Sequence, residues 1–120
     1  MKYLCLIYFE PGIWDRMSAN ESEQIARESS AYNDEMQASG HHIAAQALQP
    51  VDTAVTIRVR NGKMSISDGP FAETKEVLGG FLLIHARDLN EAIQIASKIP
   101  AARFGSIEVR PVFEPEASAL

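Results

Sequence analysis

The first strongly apolar segment of the chain is residues 2–9, KYLCLIYF, in which apolar side chains follow one another with almost no polar alternation. A short aliphatic and aromatic run closed by Pro11-Gly12 is typical of a β-strand that is apolar on both faces. We predict that this strand is central in a sheet. A second run of the same kind, residues 81–85, follows Gly79-Gly80, which is predicted to open that strand.

Two segments show the apolar spacing of an α-helix. Each begins with a residue that can cap a helix and has a glutamate three positions later, Ser18 with Glu21 and Asp88 with Glu91, which is the spacing of a capping box. The helices are predicted to be about 20 and about 11 residues long. Their predicted core-facing stripes are Ile25, Ser29, Tyr32 and Met36 in the first helix, and Leu89, Ala92, Ile93, Ala96 and Ile99 in the second.

The remaining segments predict further strands. Ile43 to Leu48 forms a short apolar stretch, and Ser106 to Val112 alternates apolar with polar residues. Thr53 to Ser67 alternates on both sides of Asn61-Gly62, the preferred pair for a type I′ turn, and therefore predicts a β-hairpin. Its apolar face and its polar, basic face follow from the predicted pairs Arg60 with Lys63, Val59 with Met64, Arg58 with Ser65 and Ile57 with Ile66.

The predicted order is strand, helix, strand, hairpin, strand, helix, strand. This is a split βαβ pattern used twice with an extra hairpin in the middle, so the predicted fold class is α+β, of the ferredoxin-like type. Two helices can cover only one face of such a sheet, whereas two of its strands are apolar on both faces. Because isologous dimers dominate soluble oligomers, we predict a homodimer in which the sheets meet face to face.

Length, cysteine content and net charge favour a small single-domain protein and argue against several other classes. The chain has 120 residues, a size typical of one domain, which we expect to span residues 1–113 with a flexible tail at residues 114–120. A single cysteine, Cys5, excludes an internal disulfide, and the apolar start is too short for a signal peptide or a membrane span, so we expect a cytoplasmic protein with no membrane role. The formal net charge of −5 argues against nucleic acid as the main partner.

The loop before the fifth strand carries the most specific motif. Residues 68–76 read DGPFAETKE and are followed by Leu78-Gly79-Gly80-Phe81, a combination that resembles the signature of the DGPF-domain proteins of the YCII-related family. The resemblance extends over about Met1 to Val112. It implies a ferredoxin-like α+β fold assembled as a dimeric α/β barrel, and it implies no particular reaction.

The histidines depart from the pattern of the broader YCII group. Resemblance to that group would imply an acid–base pair formed by a histidine near the start of the first helix and an aspartate. The first histidine of this chain is His41, so the pair has no counterpart by position. His41 and His42 are adjacent and would point to opposite faces of a strand, so we predict no metal site.

The loop of residues 68–76 is the leading candidate site, because polar side chains held by the ends of strands commonly form sites. In this hypothesis Asp68 or Glu76 transfers a proton while Lys75 stabilises developing negative charge. An arginine nearby would favour a small polar or anionic molecule. No cofactor is predicted. The candidate ligand-binding residues are Tyr32, Arg58, Phe71, Glu73 and Arg110.

Each candidate also has a purely structural interpretation. Asp68-Gly69-Pro70 favours a turn held by the aspartate side chain, and Lys75 between two glutamates is typical of a solvated rim. Tyr32 can be a core aromatic with a satisfied hydroxyl, and Phe71 can fill the core or the dimer seam. At the level of function, the alternative to a ligand-binding dimer is a non-catalytic regulatory or protein-interaction module.

Overall fold

The computed structural model describes residues 1–115, and the α+β class predicted from the sequence is confirmed there. The helices and strands in chain order are β1 Lys2–Phe9, α1 Ala19–Ala38, β2 His42–Ala47, β3 Val55–Arg60, β4 Lys63–Asp68, β5 Val77–His85, α2 Leu89–Ser97 and β6 Ser106–Pro111. Short 3-10 turns lie at Trp14–Arg16, Val51–Thr53 and Pro100–Arg103. Most of the tail predicted at residues 114–120 falls on residues 116–120, which lie outside the described part of the chain.

The main sheet has four antiparallel strands in the order β2-β5-β1-β6. The two strands predicted to be apolar on both faces, β1 and β5, are the central ones. Each helix joins strands that are not neighbours, since α1 leads from β1 to β2 across β5 and α2 leads from β5 to β6 across β1. This connectivity is the split βαβ pattern that the sequence predicts.

The core lies between the two helices and one face of this sheet. Its buried side chains come from the strands, with Tyr3, Cys5, Leu82 and Ile84, and from the helices, with Tyr32, Met36, Ala92, Ile95 and Ala96. The alternate residues of the central strands lie on the opposite face, which we call the open face. The large apolar side chains of the central strands on this face are Leu4, Leu6, Tyr8, Phe81 and Leu83, which are half-buried, and Leu78, which is 39% exposed.

The glycine pair in β5 lies inside the strand, which begins earlier than predicted, at Val77. A Cβ on Gly79 would lie 2.2 Å from the ring carbon Cζ of Phe9, and a Cβ on Gly80 would lie 2.8 Å from the backbone oxygen of Gln46. Glycine within a strand often marks the close approach of another group. Here the glycines make room for an aromatic ring and for the neighbouring strand.

α1 begins where its capping box predicts. Ser18 Oγ accepts a hydrogen bond from the Glu21 backbone N–H at 3.1 Å, and Glu21 Oε1 accepts one from the Ser18 backbone N–H at 3.3 Å. Replacing Ser18 by alanine is expected to lower the free energy of unfolding by about 1 kcal/mol. Urea denaturation measures the change, with Ser30→Ala, at an exposed position within the same helix, as the control. Equal losses in the two variants would contradict a capping role.

α2 packs through a different stripe from the predicted one. Ala92 and Ala96 are buried as expected, and so is Ile99 just beyond the end of the helix. Leu89 and Ile93 are 47% and 45% exposed, whereas Ile95, which was not predicted, is buried. Ile95 lies in the core with Ala92 and Ala96, so the buried stripe of the helix is rotated away from Leu89 and Ile93. Neither α1 nor α2 combines the length and apolar character that a bilayer-spanning helix requires.

β3 and β4 form a separate two-stranded sheet with the predicted register. Asn61 and Gly62 have φ values of 53° and 75°, as a type I′ turn requires. The apolar face of the hairpin is uncovered in the single chain, with exposures between 57% and 64% for its large side chains, Val55, Ile57, Val59, Met64 and Ile66.

Candidate functional site

The loop of residues 68–76 begins with a turn packed on the polar face of the hairpin. The Gly69 backbone N–H donates to the Ala54 carbonyl oxygen at 2.7 Å, and Thr56 Oγ1 donates to the Gly69 carbonyl oxygen at 2.8 Å. Gly69 has a φ of +94°, a conformation that favours glycine. The predicted turn is therefore present, and backbone groups together with Thr56 hold it. The Asp68 side chain makes no hydrogen bond to another described residue and is exposed.

Phe71 lies against Arg58. The guanidinium carbon of Arg58 is 5.1 Å from the centre of the Phe71 ring, a distance typical of a cation–π contact. Phe71 is 75% exposed, so the interpretation that it fills the core is wrong. The loop carries it to the polar face of the hairpin, away from the core, and its placement at a dimer seam stays a prediction.

Lys75 and Glu76 contact different partners. Lys75 Nζ is 3.3 Å from Glu10 Oε1, with the lysine side chain 86% exposed. Glu76 Oε1 accepts a hydrogen bond from Ser106 Oγ at 2.7 Å. Within the described residues no hydrogen bond or ion pair joins Asp68, Lys75 and Glu76 to one another. Lys75 and Glu76 are therefore held by separate partners, Glu10 and Ser106.

Arg110 lies on the open face of the sheet, opposite Leu4 of β1. Ser106 is on the same strand and the same face, so Glu76, which accepts its hydrogen bond, lies along the same edge. The structure thus places Arg110 and Glu76 along β6 and places Arg58 on the hairpin. Glu73 is exposed in the loop.

Tyr32 belongs to the core. It is 8% exposed, and its hydroxyl donates to the Ile95 carbonyl oxygen at 2.7 Å. Burial, and to a smaller extent the negative charges of Glu35 and Cys5, raise the pKa of Tyr32 to about 12. A phenol that is neutral and already hydrogen-bonded fits the interpretation as a core aromatic.

Alkaline solution is expected to destabilise the fold through Cys5 and Tyr32. Burial raises the pKa of the Cys5 thiol from 9.0 to about 11, and the pKa of Tyr32 rises from 10.0 to about 12. Both pKa values are higher in the folded state, so the contribution of the neutral thiol and phenol to the free energy of unfolding is fully present below pH 9. This contribution is lost as pH rises through 9–11 for Cys5 and through 10–12 for Tyr32. Urea midpoints measured across this range should fall, and Cys5→Ala should flatten the first part of the decline. An unaltered pH dependence in that variant would contradict this assignment.

A cavity of about 420 Å³ lies between α1 and the helix-covered face of the sheet. Three rings line it, and they form edge-to-face contacts with Trp14 in the middle: its ring centre is 5.5 Å from that of Phe9 and 5.4 Å from that of Phe104. Of the site residues predicted from the sequence, Tyr32 lines this cavity and the others do not.

Trp14 is a candidate that the sequence patterns missed. It lies in the 3-10 turn after β1, outside every periodic segment, and Phe104 is distant from it in sequence. The one available signal is the residue type itself, a large aromatic residue beside the turn residues Pro11-Gly12. Trp14 remains 41% exposed, which is consistent with a cavity wall rather than with a core position.

Comparison with known proteins decides the family. The family described as YCII-related domain matches residues 1–116, which is nearly the whole chain. The chain belongs to the YCII-related family. It is similar to an uncharacterized protein of Rhizobium meliloti (strain 1021), with 37% identity over 114 residues that cover 93% of this chain and 92% of the relative. The resemblance predicted from the DGPF motif is therefore confirmed.

The first histidine of this YCII-related chain follows α1 instead of preceding it. His41 Nδ1 lies 2.9 Å from the His85 carbonyl oxygen, and 4.0 Å from Glu91 Oε1. These contacts tie the end of α1 to β5 and to α2. Residues 1–115 contain no group of three side chains that could hold a metal ion.

Proposed function

We propose that this YCII-related chain is a homodimeric small-molecule-binding protein whose subunits meet through the open faces of their sheets. The observation that carries the proposal is the pair of central strands with apolar side chains on both faces, while both helices pack on one face only. Apolar sheet surface requires a cover, and a second copy of the same surface is the commonest solution. The assembly would be a dimeric α/β barrel, in the cytoplasm, where the free thiol of Cys5 stays reduced.

The proposed ligand site lies at the edge of the open face along β6. Arg110 lies on that face and Glu76 is hydrogen-bonded to Ser106 at its edge. A guanidinium group favours a carboxylate or another anion, and Arg110 Nε already lies 3.6 Å from Glu108 Oε2 on the same strand. Glu76 lies further along β6, at Ser106, where its carboxylate can accept or return a proton. We therefore propose a small polar or anionic ligand there, with acid–base chemistry assigned to Glu76. Asp68, Lys75, Glu73, Arg58 and Phe71 remain candidates on the neighbouring loop and hairpin.

Sedimentation velocity tests the assembly, and calorimetric titration with succinate tests the site. The wild-type chain is expected to sediment as a dimer at micromolar concentration. Arg110→Gln is expected to weaken succinate binding by about tenfold or more, because a charge-assisted hydrogen bond is lost. Arg87→Gln is the matched control, since Arg87 is an exposed arginine paired with Glu91 of α2. A monomer, or equal binding by the two variants, would contradict the proposal.

One observation favours a second candidate function, a non-catalytic interaction module. The five apolar side chains on one face of the hairpin are more than half exposed, and apolar patches of this kind often mark protein interfaces. A chain that sediments as a monomer and does not bind succinate would favour this candidate over the ligand-binding dimer.

A further inference from the structure

We infer that the cavity between α1 and the sheet is a binding site for an uncharged molecule with about two aromatic or alicyclic rings. This site lies on the helix-covered side of the sheet, opposite the open face. It is therefore independent of the proposed dimer and of the ligand site along β6.

The aromatic walls favour a ring-shaped ligand. Trp14 contacts Phe9 and Phe104 edge to face, which leaves ring surfaces available for stacking or edge contacts with a further ring. Aromatic side chains also lose little conformational entropy when they bind a ligand, because they have two rotatable bonds. Trp14 keeps 41% of its surface exposed, so the cluster is not closed around itself.

The volume sets the size of the ligand. A cavity of roughly 150 Å³ suffices to bind benzene, and ligand sites commonly begin at about 300 Å³. At about 420 Å³, this cavity has room for two rings with a short substituent.

The lining excludes a charged ligand. No Asp, Glu, Lys, Arg or His occurs among the described residues that line the cavity. The polar side chains there are neutral: Ser29 and Asn33 can donate to or accept from a hydroxyl or an amide, and the Tyr32 hydroxyl already donates to the Ile95 carbonyl oxygen. An ionised ligand would lose its water without gaining a partner of opposite charge, which is costly.

A neighbouring cavity strengthens the argument against an anion. It measures about 580 Å³ and shares Phe9 and Trp14 with the first cavity. Its charged lining residues are Asp15 and Asp52, whose carboxylates would repel a negative ligand at the shared wall. The ligand class inferred for the helix side thus differs from the anionic one proposed for the open face.

Two probes with the same rings test the inference. 2-Naphthalenemethanol is neutral at neutral pH and 2-naphthoate is an anion. Trp14 is the chain's single tryptophan, so its indole N–H gives one assignable signal in a proton–nitrogen correlation spectrum. We expect a saturable shift of this signal with the alcohol, and binding at least about tenfold tighter than that of the carboxylate. Equal or tighter binding of the carboxylate, or no saturable shift with the alcohol, would overturn the inference.

A cavity-filling variant locates the binding. Ser29→Phe places a large side chain in the cavity, whereas Ser30→Phe, the control, places it at an exposed position of the same helix. The first variant is expected to lose at least about tenfold in affinity for the alcohol and the second to stay within about twofold. Ala101→Leu adds volume at another lining residue and replaces Ser29→Phe in the test if circular dichroism shows that Ser29→Phe is unfolded. Undiminished affinity in a folded, filled variant would refute the site, and sedimentation of the same variants reports separately on the dimer.

Discussion

Replacing Gly105 by alanine is expected to lower the free energy of unfolding by about 3 kcal/mol, through overpacking against backbone. A Cβ on Gly105 would lie 2.0 Å from the Tyr8 carbonyl oxygen and 3.1 Å from Phe9 Cβ. The nearest obstacle is backbone in β1, which cannot rotate away as the end of a side chain can. Relief requires β6 to move from β1, and this separation would break the pairing that begins at Tyr8 and Ser106.

Gly40→Ala is the matched control for this prediction. Gly40 has a φ of +81° and open space where a Cβ would lie, so alanine there should cost only about 1–2 kcal/mol for its left-handed conformation. Urea or thermal denaturation of the two variants separates steric from conformational strain. If Gly105→Ala is no less stable than Gly40→Ala, the close contact with β1 does not limit the fold.

The elements that the sequence predicts best are those set by contacts between near neighbours. The capping box joins Ser18 to Glu21 within one turn, and the hairpin register follows from Asn61-Gly62 at its centre. In both cases the residues that decide the geometry are adjacent or nearly so in the chain. Periodicity then supplies the strands, and the sheet order follows from the split βαβ pattern, in which each helix crosses over one strand.

The packing of α2 and the start of β5 depend on partners that are remote in sequence. Leu89 and Ile93 fit the helical period as well as the buried residues do, and only the position of the sheet decides that they remain partly exposed. Gly79 suggests a strand boundary until the Phe9 ring is placed against it. Periodicity identifies an apolar stripe, but it does not fix the rotation of the helix within a few tens of degrees.

The candidate site could be predicted less well than the fold. Lys75 and Glu76 are adjacent in sequence, yet one contacts Glu10 and the other contacts Ser106, because side-chain directions in a loop follow from its path rather than from a repeating period. The aromatic cavity was missed for a related reason. Phe9, Trp14 and Phe104 come from three separate segments that only the tertiary structure brings together.

Replacing Leu6 by aspartate is expected to convert the proposed dimer to a folded monomer, with a dissociation constant raised at least about a thousandfold, or about 4 kcal/mol. Leu6 lies on β1, a central strand, and pairs with Phe81 of β5 and with Glu108 of β6. A dimer through the open faces would bury the new carboxylate beside Glu108, its cross-strand neighbour on the same face. Arg110, the nearest cation on that face, is already paired with Glu108, so two like charges would be withdrawn from water together, which is costly. In the monomer the same carboxylate would lie on a face reached by water, so the fold should survive. Sedimentation velocity and circular dichroism measure the two effects.

Ile93→Asp is the control that separates loss of the dimer from a general effect of a new charge. Ile93 is 45% exposed on α2, a helix that packs on the face of the sheet opposite Leu6, so its substitution should leave the sedimentation coefficient unchanged. Dissociation by Leu6→Asp alone would place the subunit contact on the open face, since the two variants carry the same new charge on opposite sides of the sheet. A Leu6→Asp chain that still sediments as a dimer would show that the open face is not the interface, and the exposed apolar face of the hairpin would then be the next surface to substitute.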